Sequence, residues 1–406
     1  MKEQKKQPEL RFKGFTDDWE QVEFQSKIKL IGGATPFKDN PEYWNGNIVW
    51  LSSQEIKNKY VSNGTYTITK KAIIDNKTRM VDAGTPLIVT RSGILAKRFP
   101  LSIPTIDVAI NQDIKALLFD QSKLNVNFFV AELQSKEAYI LKKIIKTGTT
   151  VQSVNLPDLN KLIISVVSDF KEQEKIGDFF QKLDHTIALQ QRKLDLLTKL
   201  KQGYLQQLFP SKDKYLPRLR FKEFNGDWKQ CTMGEIFTER TERSGEGELI
   251  SVTINSGVVK ASELDRKDNS SKNKSNYKKV EIGDIAYNSM RMWQGASGYS
   301  PYKGILSPAY TVITPKNEID SEFFAYDFKR FNMIQAFKRN SQGLTSDTWN
   351  LKFPTLKSIK INVPHFDEQR RISNTFNQVD NMLLLQQTKI DQLNKLKQAY
   401  LQKLFP

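Results

Sequence analysis

Cysteine is nearly absent from the 406 residues: Cys231 stands alone, so no internal disulfide can form. Histidine is almost as scarce, and His185 and His365 lie too far apart for any zinc-finger spacing, which excludes a structural zinc site. Long apolar runs are missing too. The longest, around Leu162 to Val167, falls far short of the roughly 20 residues that cross a bilayer. The basic N-terminus leads into no apolar stretch, so the expectation is a cytoplasmic protein without a membrane partner. No Gly-Lys-Ser/Thr phosphate loop occurs and no Gly-x-Gly-x-x-Gly follows a strand-like run, so ATP and nicotinamide chemistry have no support. Two histidines and one cysteine do not assemble a nucleophile–base constellation either.

What is abundant is positive charge. Lys plus Arg number 62 against 45 for Asp plus Glu, a net charge of +17, which points to a polyanionic partner with nucleic acid first. With 38% hydrophobic residues and 24 Phe, 13 Tyr and 6 Trp, the chain folds as a globular protein and is not a disordered basic tail. Its length implies two to four domains of roughly 100–200 residues.

The chain repeats itself. Pro8-Glu-Leu-Arg-Phe-Lys-Gly-Phe-Thr-Asp-Asp-Trp19 returns as Pro217-Arg-Leu-Arg-Phe-Lys-Glu-Phe-Asn-Gly-Asp-Trp228, a shift of 209. Lys171 to Pro210 returns as Asp367 to Pro406 at a shift of 196, down to a shared Leu-Phe-Pro ending. The order is therefore A-B-A′-B′, with segments expected at 1–168, 169–210, 211–364 and 365–406. Between the shared anchors the halves diverge, and the divergent blocks carry the basic and aromatic residues. Each block is thus expected to read a different target.

The B segments read as long helices with a coiled-coil seam. Ile176, Phe180, Leu183, Ile187, Leu194, Leu197, Tyr204 and Leu208 recur at spacings of three, four or seven. Their counterparts are Ile372, Phe376, Val379, Leu383, Ile390, Leu393, Tyr400 and Leu404. One apolar face on an otherwise polar rod requires a partner, and the other B segment is the nearest. About 37 helical residues give a rod of roughly 55 Å. Pro210 and Pro406 are expected to stop the rods. Gln190 and Gln386 occupy seam positions, where they either fix register or turn out of a wandering seam.

The A segments read as mixed α/β. Strands are expected at Gly46 to Leu51, Pro86 to Thr90, Leu162 to Val167, Asp284 to Tyr287 and Ala309 to Ile313. Helices are expected at Asn127 to Ser135 and Glu322 to Lys338, burying Phe128, Phe129, Phe323, Phe324 and Phe328.

Two motifs suggest enzyme chemistry and neither carries it far. Asn40-Pro-Glu-Tyr43 is one residue from the Asn-Pro-Pro-Tyr loop with which amino-methyltransferases hold a flipped base, but no cofactor loop accompanies it, and it reads as a turn. Asp158, Asp169 and Lys171 have the look of a nuclease metal set. The second half replaces these with Phe353-Pro354-Thr355 and Asp367, and loop or helix-cap roles explain the acids with less. A stand-alone metal-dependent endonuclease and a non-specific coiled-coil DNA scaffold are the competing readings.

Recognition remains. Asn288-Ser289-Met-Arg291-Met-Trp293-Gln294, after a strand, groups side chains that pair with base edges, although Trp293 fits a core equally well. Thr90-Arg91-Ser92-Gly93, with Lys97 and Arg98 just beyond, is the analogous place in the first half. The run from Arg266 and Lys267 through Lys272, Lys274 and Tyr277 to Lys278 and Lys279 suits phosphates and groove edges, or is a solvated loop.

In this order and duplicated, several stretches resemble the specificity subunits of bacterial type I restriction-modification systems. They are Leu10-Arg-Phe12 with Trp19, Leu219-Arg-Phe221 with Trp228, the block from Gly283 to Gly295, Ser307-Pro-Ala-Tyr310 and the two Glu-Gln-x-x-Ile helix starts. The resemblance covers nearly the whole chain. It implies two target-recognition domains alternating with two long antiparallel helices, and a non-catalytic subunit reading a split, asymmetric double-stranded DNA sequence. It further implies docking of two methyltransferase subunits and of motor-nuclease restriction subunits. S-adenosylmethionine, ATP and Mg would be held by those partners, with no cofactor or metal in this chain. Rods of this length, perpendicular to a pseudo-dyad, would suit half-sites about one DNA turn, roughly 34 Å, apart.

Overall fold

The computed structural model describes residues 7–76, 78–148, 151–211, 214–265 and 270–406. By contact the chain divides into two compact units, Met1–Gln191 with Thr388–Pro406, and Arg192–Gln387. Each unit therefore combines one mixed α/β domain with part of both long helices.

The long helices are Phe170–Gln207 (the central helix) and Phe366–Lys403 (the C-terminal helix), 38 residues each. They run antiparallel in both units. In the first, Phe179 meets Tyr400 edge-on at 4.9 Å and Asp184 bonds Lys397 at 2.7 Å. In the second, Lys201 bonds Asp380 at 2.5 Å and the Phe209 and Phe376 rings lie 6.0 Å apart. Every seam residue is buried or half-buried, and Gln386 is buried among them. The helices stop three residues short of Pro210 and Pro406. Those last residues are plugs: Leu404 and Phe405 enter the core of the first unit with Ile176, Phe180 and Trp19, and Leu208 and Phe209 enter that of the second with Ile372, Phe376 and Trp228. Fully burying such side chains stabilises by roughly 1.5–3 kcal/mol each.

Each helix start is held the same way. Arg11 makes a two-point bond at 2.8 Å to Glu172, which is fully buried, and Arg220 does the same at 2.7 Å to Glu368. The next residue satisfies the loops in front of the helix. Gln173 accepts from the Asn125 N–H and donates to the Val167 carbonyl, while Gln369 accepts from the Asp320 N–H and donates to the Pro364 carbonyl. Buried carboxylates and amides persist only when paired in this fashion. This is the physical content of the Leu-Arg-Phe and Glu-Gln-x-x-Ile motifs.

The five expected strands form, as Trp44–Leu51, Leu87–Val89, Ile163–Val166, Ile285–Asn288 and Tyr310–Pro315. The first domain carries a five-stranded sheet in the order Lys29–Gly32, Ile114–Leu118, Leu87–Val89, Leu101–Pro104, Tyr60–Val61. A four-stranded sheet adds Tyr66–Ile68, Trp44–Leu51, Val108–Ile110 and Met80–Val81. The second domain has a four-stranded antiparallel sheet in the order Phe237–Glu239, Tyr310–Pro315, Ile285–Asn288, Ser297–Tyr299, flanked by two-stranded ribbons. The helix at Val126–Ser135 forms and buries Phe128 and Phe129. The single helix expected over Glu322 to Lys338 does not: it is two, Ser321–Asp327 and Phe331–Asn340. The break comes where buried Phe328 turns into the core and the Arg330 backbone extends (φ −71°, ψ 146°), its guanidinium meeting Asp327 and the Pro210 carbonyl. A tertiary contact overrides a sequence that contains no helix breaker.

Candidate nucleic-acid interface

In the second domain the strand Ile285–Asn288 ends in a tight turn. The Asn288 side chain accepts from the Met290 N–H at 3.0 Å and its carbonyl accepts from the Arg291 N–H at 2.9 Å. A single helical turn, Met292–Gln294, follows and closes at Gly295, whose φ of 86° suits glycine. Met292 is fully buried and anchors the turn, and Ser289 is buried with its hydroxyl 2.8 Å from that of Thr311. Gln294 is therefore left exposed, with Arg291 and Trp293 half-buried. The Arg291 guanidinium has no hydrogen bond or ion pair among the described residues, which leaves its donors available to a ligand. The Trp293 indole donates to the Met290 carbonyl at 3.0 Å and meets Trp349 edge-on at 5.1 Å. Lys338 lies 5.6 Å from the Trp349 ring centre.

The first domain repeats the design with other side chains. After the strand Leu87–Val89, the Thr90 hydroxyl donates to the Asp113 carbonyl, and Ser92 caps the helical turn Gly93–Ala96. Leu95 is the buried anchor, while Arg91 and Lys97 are exposed. Arg98 is differently employed: its guanidinium donates to the Lys57 carbonyl at 3.1 Å and pins a neighbouring loop.

In both domains a second segment closes on the same spot. The Val154 N–H donates to the Thr90 carbonyl at 2.9 Å and the Ser92 N–H to the Gln152 carbonyl at 3.1 Å, while the Leu351 N–H donates to the Ser289 carbonyl at 2.8 Å. In the second domain this segment, with the helix Phe331–Asn340 before it, brings in residues absent from the expected set: Trp349, Lys338 from the helix and a fully exposed Leu344. A signal was present in the recurrence of Leu156-Pro157 and Leu159 as Phe353-Pro354 and Leu356.

Lys272 is exposed and Lys274 half-buried, on a loop tethered by buried Tyr277, whose hydroxyl accepts from the Ser271 N–H. Arg266 and Lys267 lie outside the described residues.

The two enzyme-like motifs have other employment. Asn40 caps the short helical turn Pro41–Tyr43 by accepting from the Glu42 N–H at 3.1 Å. Asp169 caps the central helix by accepting from the Lys171 N–H at 2.8 Å, and Asp158 pairs with Lys146 at 3.3 Å. Among the described residues no three His, Cys, Asp or Glu side chains are arranged to hold a metal, and no described helix is long and apolar enough to cross a membrane.

Comparison with known proteins adds a family. A family model described as "Type I restriction modification DNA specificity domain" matches residues 16–199 and again 225–395. The chain is 32% identical over 157 residues to the type I restriction enzyme EcoR124I/EcoR124II specificity subunit of Escherichia coli, 38% of the length of each. It is 23% identical to the MjaVIII specificity subunit of Methanocaldococcus jannaschii, over 94% of this chain and 90% of that one. In fold it is similar to the crystal structure of the type I restriction-modification S subunit from M. genitalium (TM-score 0.63, 19% identity), which covers 98% of this chain and 99% of that one.

Proposed function

From the premise that the chain belongs to the family of type I restriction-modification DNA specificity subunits, we propose that it reads a bipartite, asymmetric double-stranded DNA target, one recognition domain per half-site. The observation that carries this reading is the twice-built turn after Leu87–Val89 and Ile285–Asn288: the same backbone device, closed by the same second segment, presents different side chains in the two domains. Exposed Arg91 and unpaired Arg291 supply donors of the kind that meet guanine edges or phosphates, and the net charge of +17 supplies sequence-independent attraction.

In this reading the chain is a non-catalytic cytoplasmic subunit. Two methyltransferase subunits dock on it, and motor-nuclease restriction subunits join them. S-adenosylmethionine, ATP and Mg are held by those partners. Support for a repeated partner comes from the outer helix faces. The first unit exposes Leu189 and Leu396, and the second exposes their counterparts at the 196-residue shift, Leu385 and Leu200. Solvent-facing leucines at twin positions suit two copies of one apolar partner surface. The two helices, each about 57 Å long at 1.5 Å per residue, set the gap between half-sites.

The test is to express the chain with its methyltransferase partner and sequence the methylated DNA. A single two-part motif is expected. Methylation without sequence preference, or Mg-dependent cleavage by the chain alone that disappears on Asp158→Ala, contradicts the reading.

A further inference from the structure

Lys329 is a half-buried cation that lies outside the turn Met292–Gln294. It follows the helix Ser321–Asp327 and borders a cleft of about 280 Å³ that is also lined by Tyr299, Tyr326 and Asn377, all within the second unit. Its ammonium donates to the Ile254 carbonyl at 2.9 Å and to the Gly295 carbonyl at 2.5 Å. It makes no ion pair among the described residues. The ammonium is held by carbonyls, with Glu322 and Asp380 elsewhere in the cleft, and burial pulls it down to about 8, with Lys201 adding to the effect. A side chain kept at such a cost calls for a reason.

Gly295 gives that reason a location. It is the residue at which the Met292–Gln294 turn closes, and its neighbour Ala296 donates back to the Arg291 carbonyl at 3.1 Å. One ammonium thus fastens the far end of the turn that presents Arg291, Trp293 and Gln294, and ties it to the ribbon loop at Ile254. On the same stretch of chain, Tyr326 donates to Asp380 at 2.8 Å on the C-terminal helix, so the fastening leads back to the scaffold. The first domain differs. Nine residues after the capping residue of the matching helix, Asn125 there and Asp320 here, it carries Gln134 in place of lysine. Lys329 therefore belongs to what is particular to the second domain and not to the shared frame.

We infer that Lys329 is a positioning residue for recognition of the second half-site, holding the Arg291–Gly295 turn in the one geometry that reads it. This rests on the reading of the second domain as a DNA-recognition domain. The role is mechanical: it touches the turn's backbone and leaves the base edges to Arg291 and its neighbours.

The experiment uses Lys329→Met, which keeps the length and removes the donors, and Lys329→Gln, the first domain's residue, in the full complex with methyltransferase subunits. Binding is measured on duplexes altered in either the first or the second half-site, and amide exchange is followed at residues 292–297. The expected result is at least a tenfold loss of discrimination at the second half-site, none at the first, and faster exchange confined to the turn. Full discrimination in both variants, or equal loss at both half-sites, overturns the assignment. A wild-type complex that binds every duplex alike overturns the DNA reading itself, and with it the role given to Lys329. The exchange data decide separately whether the lysine fastens the turn, since unchanged exchange at 292–297 refutes it without any DNA.

Discussion

In the first unit Arg11 grips Glu172, Asp184 takes Lys397, and Phe405 packs beside Phe180 and Trp19; in the second Arg220 grips Glu368, Asp380 takes Lys201, and Phe209 packs beside Phe376 and Trp228. Every one of these pairs recurs at the shift of 209 or 196. The second partner of each twin aspartate does not: Asp184 receives Lys59, whereas Asp380 receives the Tyr326 hydroxyl. The change occurs where the repeated frame meets the divergent domain. The two halves thus separate what must be constant, the seating of helices on domains, from what is free to vary, the side chains at the ends of the recognition strands.

The largest expected effect breaks the constant part. Arg220→Ala leaves the fully buried Glu368 carboxylate without its partner and should destabilise the second unit by about 3–5 kcal/mol, with Arg11→Ala doing the same to the first. Denaturant unfolding checks this, and a cost below about 1 kcal/mol at either site would show that the twin pairs do not hold the frame.

Next comes the variable part. Arg291→Ala should cost about 1–3 kcal/mol on the second half-site only, if the guanidinium meets a base edge. Titration of altered duplexes tests it, and uniform weakening on all sequences would place Arg291 on phosphate. Both half-sites should weaken as salt rises, because releasing condensed counterions into a saltier solution gains less, and a flat response would contradict phosphate contact.

A subtler comparison involves the buried acids behind the plugs, Glu132 and Asp327, both raised by burial. Glu132 accepts from the Ser165 N–H and the Ser135 hydroxyl, and beside it Lys136 donates to the Pro406 carbonyl. Burial raises its carboxyl to about 7 despite these partners. A folded-state value above the unfolded one means stability present below about pH 4.5 and lost as pH rises toward 7. Glu132→Gln should flatten that slope in the first unit, and melting curves at several pH values check it. An unchanged slope would assign the dependence elsewhere.

The smallest change is geometric. Four residues inserted within 194–201 lengthen one helix by roughly 6 Å, nearly two base pairs at about 3.4 Å, so the gap in the methylated motif should grow by one or two while both half-sites persist. One or two inserted residues should instead rotate the seam away from its partner and impair folding. An unchanged gap in a stable, active four-residue variant would separate helix length from spacing.

Much of this frame was legible because periodicity and repetition are properties of the chain itself. The seam from Ile176 to Tyr204 and its twin could be read from spacing alone, since each residue's neighbours lie three, four or seven positions away. The Arg11–Glu172 bond could not, because its partners lie far apart along the chain and only the fold brings them together. The helix break at Phe328 escaped for the same reason, since a distant Pro210 carbonyl competes for Arg330. At the interface, strand ends and turn residues flagged Arg91 and Arg291. Nothing local marked Lys338 or Lys329, which come from another stretch of the chain.

The most direct test exchanges one domain. Residues 229–363, bounded by the paired strands Lys229–Thr232 and Lys360–Val363, are replaced with the corresponding segment of another family member, and the methylated motif is sequenced in cells carrying the methyltransferase partner. The expected result is that one half of the motif changes while the other half and the gap stay as they were. A motif that changes in both halves, or in neither, would contradict the claim that each divergent domain reads its own half-site on a constant frame.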